Sequence, residues 1–222
     1  FLFTNEEALR TNVASGSPMR KALDAAMLQE TGAKVLWWQA FGRNIYLNNG
    51  NPIRTPKDFK GKKVRTYGKI LGWTVEALGG APTLMSGSKQ FLAYQQGAVD
   101  VGMTGASSVK TRKLYEVMKN MTLSFDSAIE FVAIMNGEFF NSLSKKHQAI
   151  IIKAAKTVEQ QLRDHIYTQE VEDVKLLRTK MNVIDLTDTE RAEWRTATKG
   201  VGDKFAKERG PLAAKIIKMI RN

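Results

Sequence analysis

The sequence predicts an α/β fold with largely parallel sheets, arranged as two lobes that one long helix braces. Segments with strand character alternate with segments with helix character along most of the chain, which is typical of α/β proteins. A helical pattern also runs from Ser144 to about Lys180. At 1.5 Å per residue it would be about 50 Å long. Because that length exceeds the width of a small domain, we expect this helix to span two lobes.

Cap and turn residues divide the first half of the chain. Thr4 and Glu7 have the spacing of a capping box, Gly32 ends a second helical segment, and Pro56 starts a short helix after Thr55. Apolar runs between turn residues predict strands. The predicted elements are, in order, helix 4–13, helix 17–32, strand 34–40, a turn at 48–52, a short helix from 56, strand 62–67, helix 69–80 and strand 82–85.

The second half continues the alternation. Gly97 closes one predicted helix, and Thr187 and Glu190 have capping-box spacing before the last helical region. The predicted elements are helix 88–97, strand 98–105, helix 107–119, a strand from 130, the long helix, strand 182–186 and a C-terminal helical region. One face of the long helix is predicted to be apolar, with Ile151, Ala155, Val158, Leu162, Ile166, Val174 and Leu177 near it.

The amino-acid composition excludes several classes of functional site. The 222 residues carry a formal charge of +12 and contain no cysteine, so disulfides, thiol nucleophiles and cysteine metal sites are excluded. The excess positive charge attracts nucleic acid, anionic membrane or small acids, although scattered surface lysines explain most of it. No apolar run approaches the roughly 18 residues of a membrane span.

The residues of common catalytic sites are missing. No GxSxG, HExxH or P-loop motif occurs. His147 and His165 lie eighteen positions apart in the long helix, too far to share a metal, and each is interpreted as a surface residue. Asp100, inside an apolar strand, is interpreted as a buried capping or turn carboxylate rather than a base. The sequence therefore favours a protein that is not an enzyme and has neither cofactor nor metal.

Nucleic-acid binding is a weaker interpretation of the positive charge. The lysines form no single tract, and the densest group, at residues 57–63, lies between a short helix and a strand. Trp37 and Trp38 are adjacent, so on a strand they face opposite sides and form no paired stacking platform.

Arg65 stands out because it ends an apolar strand and precedes a turn at Gly68. A guanidinium there can pair with a neighbouring aspartate or a strand-end carbonyl, or it can bind an anion from solution. Its planar set of donors matches the two oxygens of a carboxylate.

Five segments together resemble the extracytoplasmic solute-binding subunit of tripartite ATP-independent periplasmic (TRAP) transporters, the DctP-type family. Their order and spacing carry the resemblance, which covers nearly the whole chain. The segments are NPIRTPKDFKGKKVRTYG, LGGAPTLMSGSKQFLAYQQGAVD, KLYEVMKNMTLS, GEFFNSLSKKHQAIIIKAAK and NVIDLTDTERAEW. The resemblance implies a bilobed, periplasmic-binding-protein-like fold, with a ligand in the cleft between two lobes that crossing strands join.

The resemblance also implies a ligand site. Arg65 matches the family arginine that pairs with the ligand carboxylate, and Arg43 matches a second basic position. Thr104 stands where many members have an asparagine, and Gly87 where an aromatic is common, which together suggest a roomier pocket. Further candidates for the pocket wall are Trp38, Tyr67 and Phe125.

The resemblance implies a division of the chain into lobe I, from residues 1–40 and 130–170, and lobe II, from residues 41–129 and 171–222. The chain starts at Phe1 without Met or signal peptide. We therefore expect the rest of lobe I to lie upstream, so that sheet edges and apolar faces of that lobe are left uncovered.

The expected function is capture of a small organic acid in the periplasm by a monomer that delivers it to the permease subunits of a TRAP transporter. Two alternatives remain at this point. One is a bilobed sensor or enzyme on the same fold, and the other is a basic nucleic-acid-binding domain.

Overall fold

The computed structural model describes Phe3 and residues 6–221, so the proposed cap at Thr4 lies outside the described residues. The helices are α1 (Glu6–Val13), α2 (Pro18–Thr31), α3 (Lys69–Ala77), α4 (Gln90–Gln95), α5 (Ala106–Thr111), α6 (Gly137–Ser142), α7 (Lys145–Leu177), α8 (Asp188–Arg209) and α9 (Pro211–Arg221). The strands are β1 (Ala33–Asn48), β2 (Lys63–Thr66), β3 (Ala81–Leu84), β4 (Val101–Gly105), β5 (Asn120–Leu123), β6 (Ala128–Asn136) and β7 (Asn182–Asp185). Short 3-10 helices cover Pro56–Phe59, Gly87–Lys89 and Leu114–Glu116.

Strand β1 is common to two sheets. Its first part, Ala33–Arg43, pairs antiparallel with β6, and its last part, Asn44–Asn48, pairs antiparallel with β4 on one edge. Tyr46–Asn48 also pairs with β5 on the other edge. The strand order of the larger sheet is β3-β2-β4-β1-β5-β7. The predicted strand 34–40 is therefore only the first half of a strand that crosses from one sheet into the other.

The sheets are mixed, so the prediction of largely parallel sheets is wrong. Three of the pairings among the described strands are parallel, namely β2 with β3, β2 with β4, and β5 with β7. The three pairings that involve β1 are antiparallel. Because β1 runs through the middle of the larger sheet against its neighbours, it interrupts what the strand–helix alternation predicts to be a parallel arrangement.

Alternate residues of β1 build two apolar cores on the two faces of the larger sheet. Ile45 and Leu47 pack on one face in a cluster that reaches α5 and the end of α7. Tyr46 faces the other way and packs with Phe59 and Trp194 of α8, whose ring centroids lie 5.1 and 5.3 Å from its own. A third cluster joins α1, α2 and α9. The core around Tyr46 also contains Val64 of β2 and Met103 of β4, so it fixes the strands that carry the candidate site.

The long helix α7 has its predicted length, but its buried side is largely charged. Val158, expected on the apolar face, is 37% exposed. The buried residues of α7 are Ala155, Glu159, Arg163, Glu170, Asp173 and Leu177. Four of them pair with charges on α2, β6, β1 and α5: Glu159 with Arg20 (2.6 Å), Arg163 with Glu130 (2.8 Å), Glu170 with Arg43 (2.6 Å) and Asp173 with Lys110 (2.6 Å). The helix braces the fold through ion pairs as well as apolar contacts.

Several boundaries agree with their sequence signals. Ser17 and Gly32 cap the two ends of α2, with Gly32 at φ 71°. Capping boxes form at Thr55 and at Thr187. The predicted helix 107–119 is shorter than expected, because Lys113 at φ 52° separates α5 from the following 3-10 turn. No helix of the described residues combines the length and the apolar character needed to cross a membrane.

Apolar side chains are exposed on β6, as the sequence led us to expect for this part of the chain. Phe131 is 56% exposed and Ile134 is 55% exposed. Within the described residues, β6 pairs only with β1. One edge of this smaller sheet therefore has unpaired backbone groups next to an apolar surface.

Candidate functional site

Arg65 lies at the carboxyl-terminal end of β2 and is only 3% exposed. Its guanidinium is held by two backbone carbonyls of the neighbouring strands, one directly after the end of β3 and one within β4. Nε and Nη2 donate to the carbonyl oxygen of Met85, at 3.1 and 2.9 Å, and Nη1 donates to that of Met103, at 2.5 Å. These bonds use three of its five N–H groups. Two remain for another acceptor.

No described carboxylate pairs with Arg65. Burial lowers its pKa, and the nearby positive charge of Arg112 acts in the same direction, whereas Tyr94 and Tyr67 oppose the change. A nearly buried cation bound only to neutral carbonyls is costly, because its charge is incompletely compensated. The predicted alternative, a strand-end carbonyl, is therefore present at Met85, but the backbone carbonyls leave the charge available to an anion.

Tyr67 and Phe125 connect Arg65 to Arg43 through Asn44. The guanidinium carbon of Arg65 lies 4.9 Å from the ring centre of Tyr67, whose hydroxyl donates to Oδ1 of Asn44 at 3.2 Å. The backbone N–H of Phe125 donates to the carbonyl oxygen of Asn44 at 3.0 Å. Four of the predicted site residues thus lie along one continuous set of contacts.

Arg43 is paired within the protein. Its backbone N–H and its Nε donate to the two carboxylate oxygens of Glu170, at 2.7 and 2.6 Å. Its guanidinium also stacks over the ring of Phe125, 3.7 Å from the centre. A cavity of about 330 Å³ lies beside this group, with Val171 and Val174 of α7 in its wall. Arg65 and Thr104 do not line that cavity, so it is adjacent to the Arg65 site rather than identical with it.

Thr104 lies on β4 opposite Ile45 and is 3% exposed. It follows Met103, whose carbonyl oxygen accepts from Arg65. Among the described residues its hydroxyl has no hydrogen-bond partner. This places an uncommitted hydroxyl one residue from the acceptor of Arg65.

Trp38 lies apart from the other candidates. Its indole N–H donates to Asp24 at 2.8 Å, and the Arg20 guanidinium stacks on its ring at 4.9 Å. It belongs to the apolar cluster of α1, α2 and α9. The structure therefore brings five of the six predicted residues together and places Trp38 in a different core.

Arg112 is a residue of this region that the sequence analysis missed. A Cβ atom at Gly87 would lie 2.5 Å from Nη1 of Arg112. The space that the missing side chain at position 87 was expected to leave open is thus filled by a guanidinium. The absence of a side chain at Gly87 was visible in the sequence, but no pattern linked it to a residue 25 positions away.

Other candidates have ordinary structural roles. Asp100 precedes β4 rather than lying inside a strand, and it is exposed rather than buried, so both parts of that prediction are wrong. Its carboxylate accepts from the backbone N–H of Lys63 at 2.7 Å, which confirms the capping interpretation. His147 and His165 are both exposed on α7, as predicted. Within the described part of the chain, no three histidine or acidic side chains are grouped to hold a metal.

Comparison with known proteins gives consistent results. The model of the DctP family, bacterial extracellular solute-binding protein family 7, matches residues 1–208. The sialic acid-binding periplasmic protein SiaP of Vibrio cholerae is 30% identical over 173 residues, which cover 77% of this chain and 53% of that protein. The C4-dicarboxylate-binding periplasmic protein DctP of Rhodobacter capsulatus is 28% identical over 219 residues, covering 95% and 63%.

Solved structures share the fold. The periplasmic ectoine-binding protein of the TeaABC TRAP transporter of Halomonas elongata superimposes with a TM-score of 0.91 at 21% identity. The match covers 99% of this chain and 72% of that protein. This chain spans between about half and two thirds of the length of the curated relatives named above.

Proposed function

Because the chain belongs to the DctP family of bacterial extracellular solute-binding proteins, we propose that it captures a small organic carboxylic acid in the periplasm. We further propose that it acts as a monomer and delivers the acid to the permease subunits of a TRAP transporter. In this proposal residues 1–40 and 130–170 form one lobe, and 41–129 with 171–222 form the other. The acid lies between them and holds them closed.

The observation that carries the proposal is the state of Arg65. Its guanidinium is nearly buried, has no carboxylate partner among the described residues, and keeps two N–H groups uncommitted. The two neutral carbonyls fix its orientation before a ligand arrives. A carboxylate that accepts from such a preoriented, desolvated guanidinium forms a strong, charge-assisted hydrogen bond.

The neighbouring groups support the same role. Tyr67 offers a ring face beside the guanidinium, and Thr104 offers a hydroxyl that can donate to or accept from a ligand oxygen. Arg43 remains a candidate, but Glu170 already neutralises its charge. Arg65 therefore supplies the larger part of carboxylate recognition in this proposal.

The test is substitution of Arg65 by glutamine, followed by calorimetric titration with carboxylic acids chosen by a thermal-shift screen. Losing one partner of a buried charge pair costs about 2–5 kcal/mol of binding free energy, so the affinity should fall by at least about thirtyfold. Lys60→Gln, which removes an equal charge from an exposed position, should bind as the parent protein does. An Arg65→Gln protein that is folded by circular dichroism and binds the acid as tightly as the parent would refute the proposal.

A further inference from the structure

Two guanidinium groups converge on one short segment of backbone, Met85–Gly87. Arg65 donates from Nε and Nη2 to the carbonyl oxygen of Met85, two residues before Gly87. Arg112, which follows α5, lies directly against Gly87. The two side chains come from different elements, β2 and the end of α5, and they approach the segment from Met85 to Gly87 without an intervening acid among the described residues.

The contact between Arg112 and Gly87 is close and involves the whole end of the side chain. A Cβ atom at position 87 would lie 2.5 Å from Nη1, 2.8 Å from Nη2 and 3.0 Å from Cζ of Arg112. Real Cβ atoms do not approach other atoms so closely, so any residue other than glycine would displace the guanidinium. Glycine at this position is what permits Arg112 to lie where it does.

Arg112 has no side-chain partner within the described chain. None of the ion pairs or side-chain hydrogen bonds of the described residues involves its guanidinium, although it has five N–H donors. It is exposed, in contrast to Arg65. An exposed guanidinium beside a nearly buried one gives an anion access from solvent on one side and a preoriented donor on the other.

Arg65 and Arg112 both lie close enough to Tyr94 to affect its pKa. Its hydroxyl donates to Gln90 at 2.8 Å, and the amide of Gln90 donates to the carbonyl oxygen of Gly87 at 3.2 Å. Burial raises the pKa of Tyr94, while the charges of both Arg65 and Arg112 act to lower it. Like charges so placed repel each other, and an anion that contacts both relieves the repulsion.

We propose that Arg112, lying over Gly87, is a second anion-binding residue of the site and selects ligands that carry a second acidic group. The first carboxylate binds Arg65 and the second binds Arg112, so the preferred ligand is a dicarboxylic acid rather than a monocarboxylic acid of the same size. This inference rests on the proposed function, because it requires that Arg65 binds a carboxylate.

The test compares each diacid with its own monoamide, which keeps the size and removes one charge. The probes are succinate with succinamate and glutarate with glutaramate, titrated calorimetrically into the protein and its variants. Arg112→Gln should weaken the binding of a diacid by about ten- to a hundredfold, as expected for losing a charged hydrogen bond. It should leave the affinity for the monoamide unchanged within about twofold.

A second variant tests the same inference in case Arg112→Gln does not fold. Gly87→Ala keeps both charges and places a methyl group where the Arg112 guanidinium now lies. It should reduce the preference for the diacid over its monoamide in the same direction, with a smaller effect, since the flexible side chain can shift. Lys60→Gln controls for the loss of one positive charge at an exposed position.

The inference would be overturned if Arg112→Gln weakened the binding of diacid and monoamide equally, or if it changed the affinity for neither. It would also be overturned if the parent protein bound none of the four acids, or bound the diacid no more tightly than its monoamide. Failure of the proposed function looks different. In that case Arg65→Gln would bind every acid that the parent binds with undiminished affinity, whatever the behaviour of the Arg112 variants.

Discussion

Glu170 of α7 accepts two hydrogen bonds from Arg43, one from its backbone N–H at 2.7 Å and one from its Nε at 2.6 Å. One carboxylate therefore fixes both the backbone and the side chain of a residue in the crossing strand β1. The Glu170 side chain is 5% exposed and that of Arg43 is 27% exposed. The pair joins the long helix to the point where β1 passes from one sheet to the other.

We expect Glu170→Gln to lower the free energy of unfolding by about 1–3 kcal/mol, because the amide can still accept from the backbone N–H but presents donors to the Arg43 guanidinium. Urea unfolding at neutral pH measures the change. Glu172→Gln removes the same charge from an exposed position of the same helix and serves as the control. Equal stability of the two variants would show that the pair contributes nothing.

Gly42→Ala should be destabilising for two separable reasons. Gly42 has φ +117°, and a Cβ atom there would lie 3.1 Å from Oε1 of Glu170. Backbone strain of this kind costs about 1–3 kcal/mol, and the contact adds to it. Gly61→Ala is the matched control, since Gly61 has φ +74° but open space around a Cβ atom. Thermal unfolding should show the larger loss for Gly42→Ala, and the reverse order would contradict the importance of the Glu170 contact.

The capping box at the start of α8 predicts a pH dependence. Partial burial raises the pKa of Glu190, but hydrogen bonds from Thr187 and Arg54 outweigh it, so the pKa is lowered from the ordinary value of 4.5. An acid whose pKa is lower when folded stabilises the protein above its unfolded pKa, and this stability is lost as the pH falls through the folded pKa. Acidification below pH 4.5 should therefore destabilise the parent protein.

Glu190→Gln should be less stable than the parent at pH 7, by about 0.5–2 kcal/mol for a weakened cap. The difference should shrink as the pH falls below the ordinary glutamate value. Denaturant unfolding at pH 7 and at pH 3.5 measures both effects. Glu193→Gln, exposed on the same helix, should show neither, and a gap that widens in acid would mean that the pKa of Glu190 is not lowered.

Thr104→Val separates a role in binding from a role in folding. Valine keeps the shape of threonine, and the hydroxyl has no partner among the described residues, so the free energy of unfolding should not fall. If the hydroxyl bonds to the ligand, affinity for the acid should drop by about 0.5–1.5 kcal/mol. Calorimetry on the variant decides this, and an unchanged affinity would remove Thr104 from the site.

The sequence predicts most helices and strands because their signals are local. The short helix starts at Pro56, directly after Thr55, as predicted, and the cap at Thr187 forms as its spacing from Glu190 indicates. The length of β1 was missed because its second half is polar in part and lacks an obvious alternation. Strand β5, with only four residues including Asn120 and Thr122, has no local signal strong enough to separate it from the preceding helix.

The sequence does not predict that the buried face of α7 is charged, and the reason is different. Periodicity placed apolar residues on the inner face, yet Glu159 and Arg163 are buried there. Burying Glu159 is favourable because it pairs with Arg20, which is 139 positions away in the sequence. The same limit explains why Arg65 was identified by resemblance and position, whereas Arg112 became visible only when the fold brought it to Gly87.

Strand β1 has a mechanical consequence. Its backbone pairs with β6 over one stretch and with β4 and β5 over the next. A rotation of one sheet relative to the other must therefore twist the backbone of β1. The register of the β6 pairing shifts between Val35 and Trp37 and again between Ala40 and Gly42, where fewer ladder bonds resist torsion. Motion between the sheets is therefore expected to appear as faster amide exchange at these two irregularities rather than as sliding of one packed surface over another.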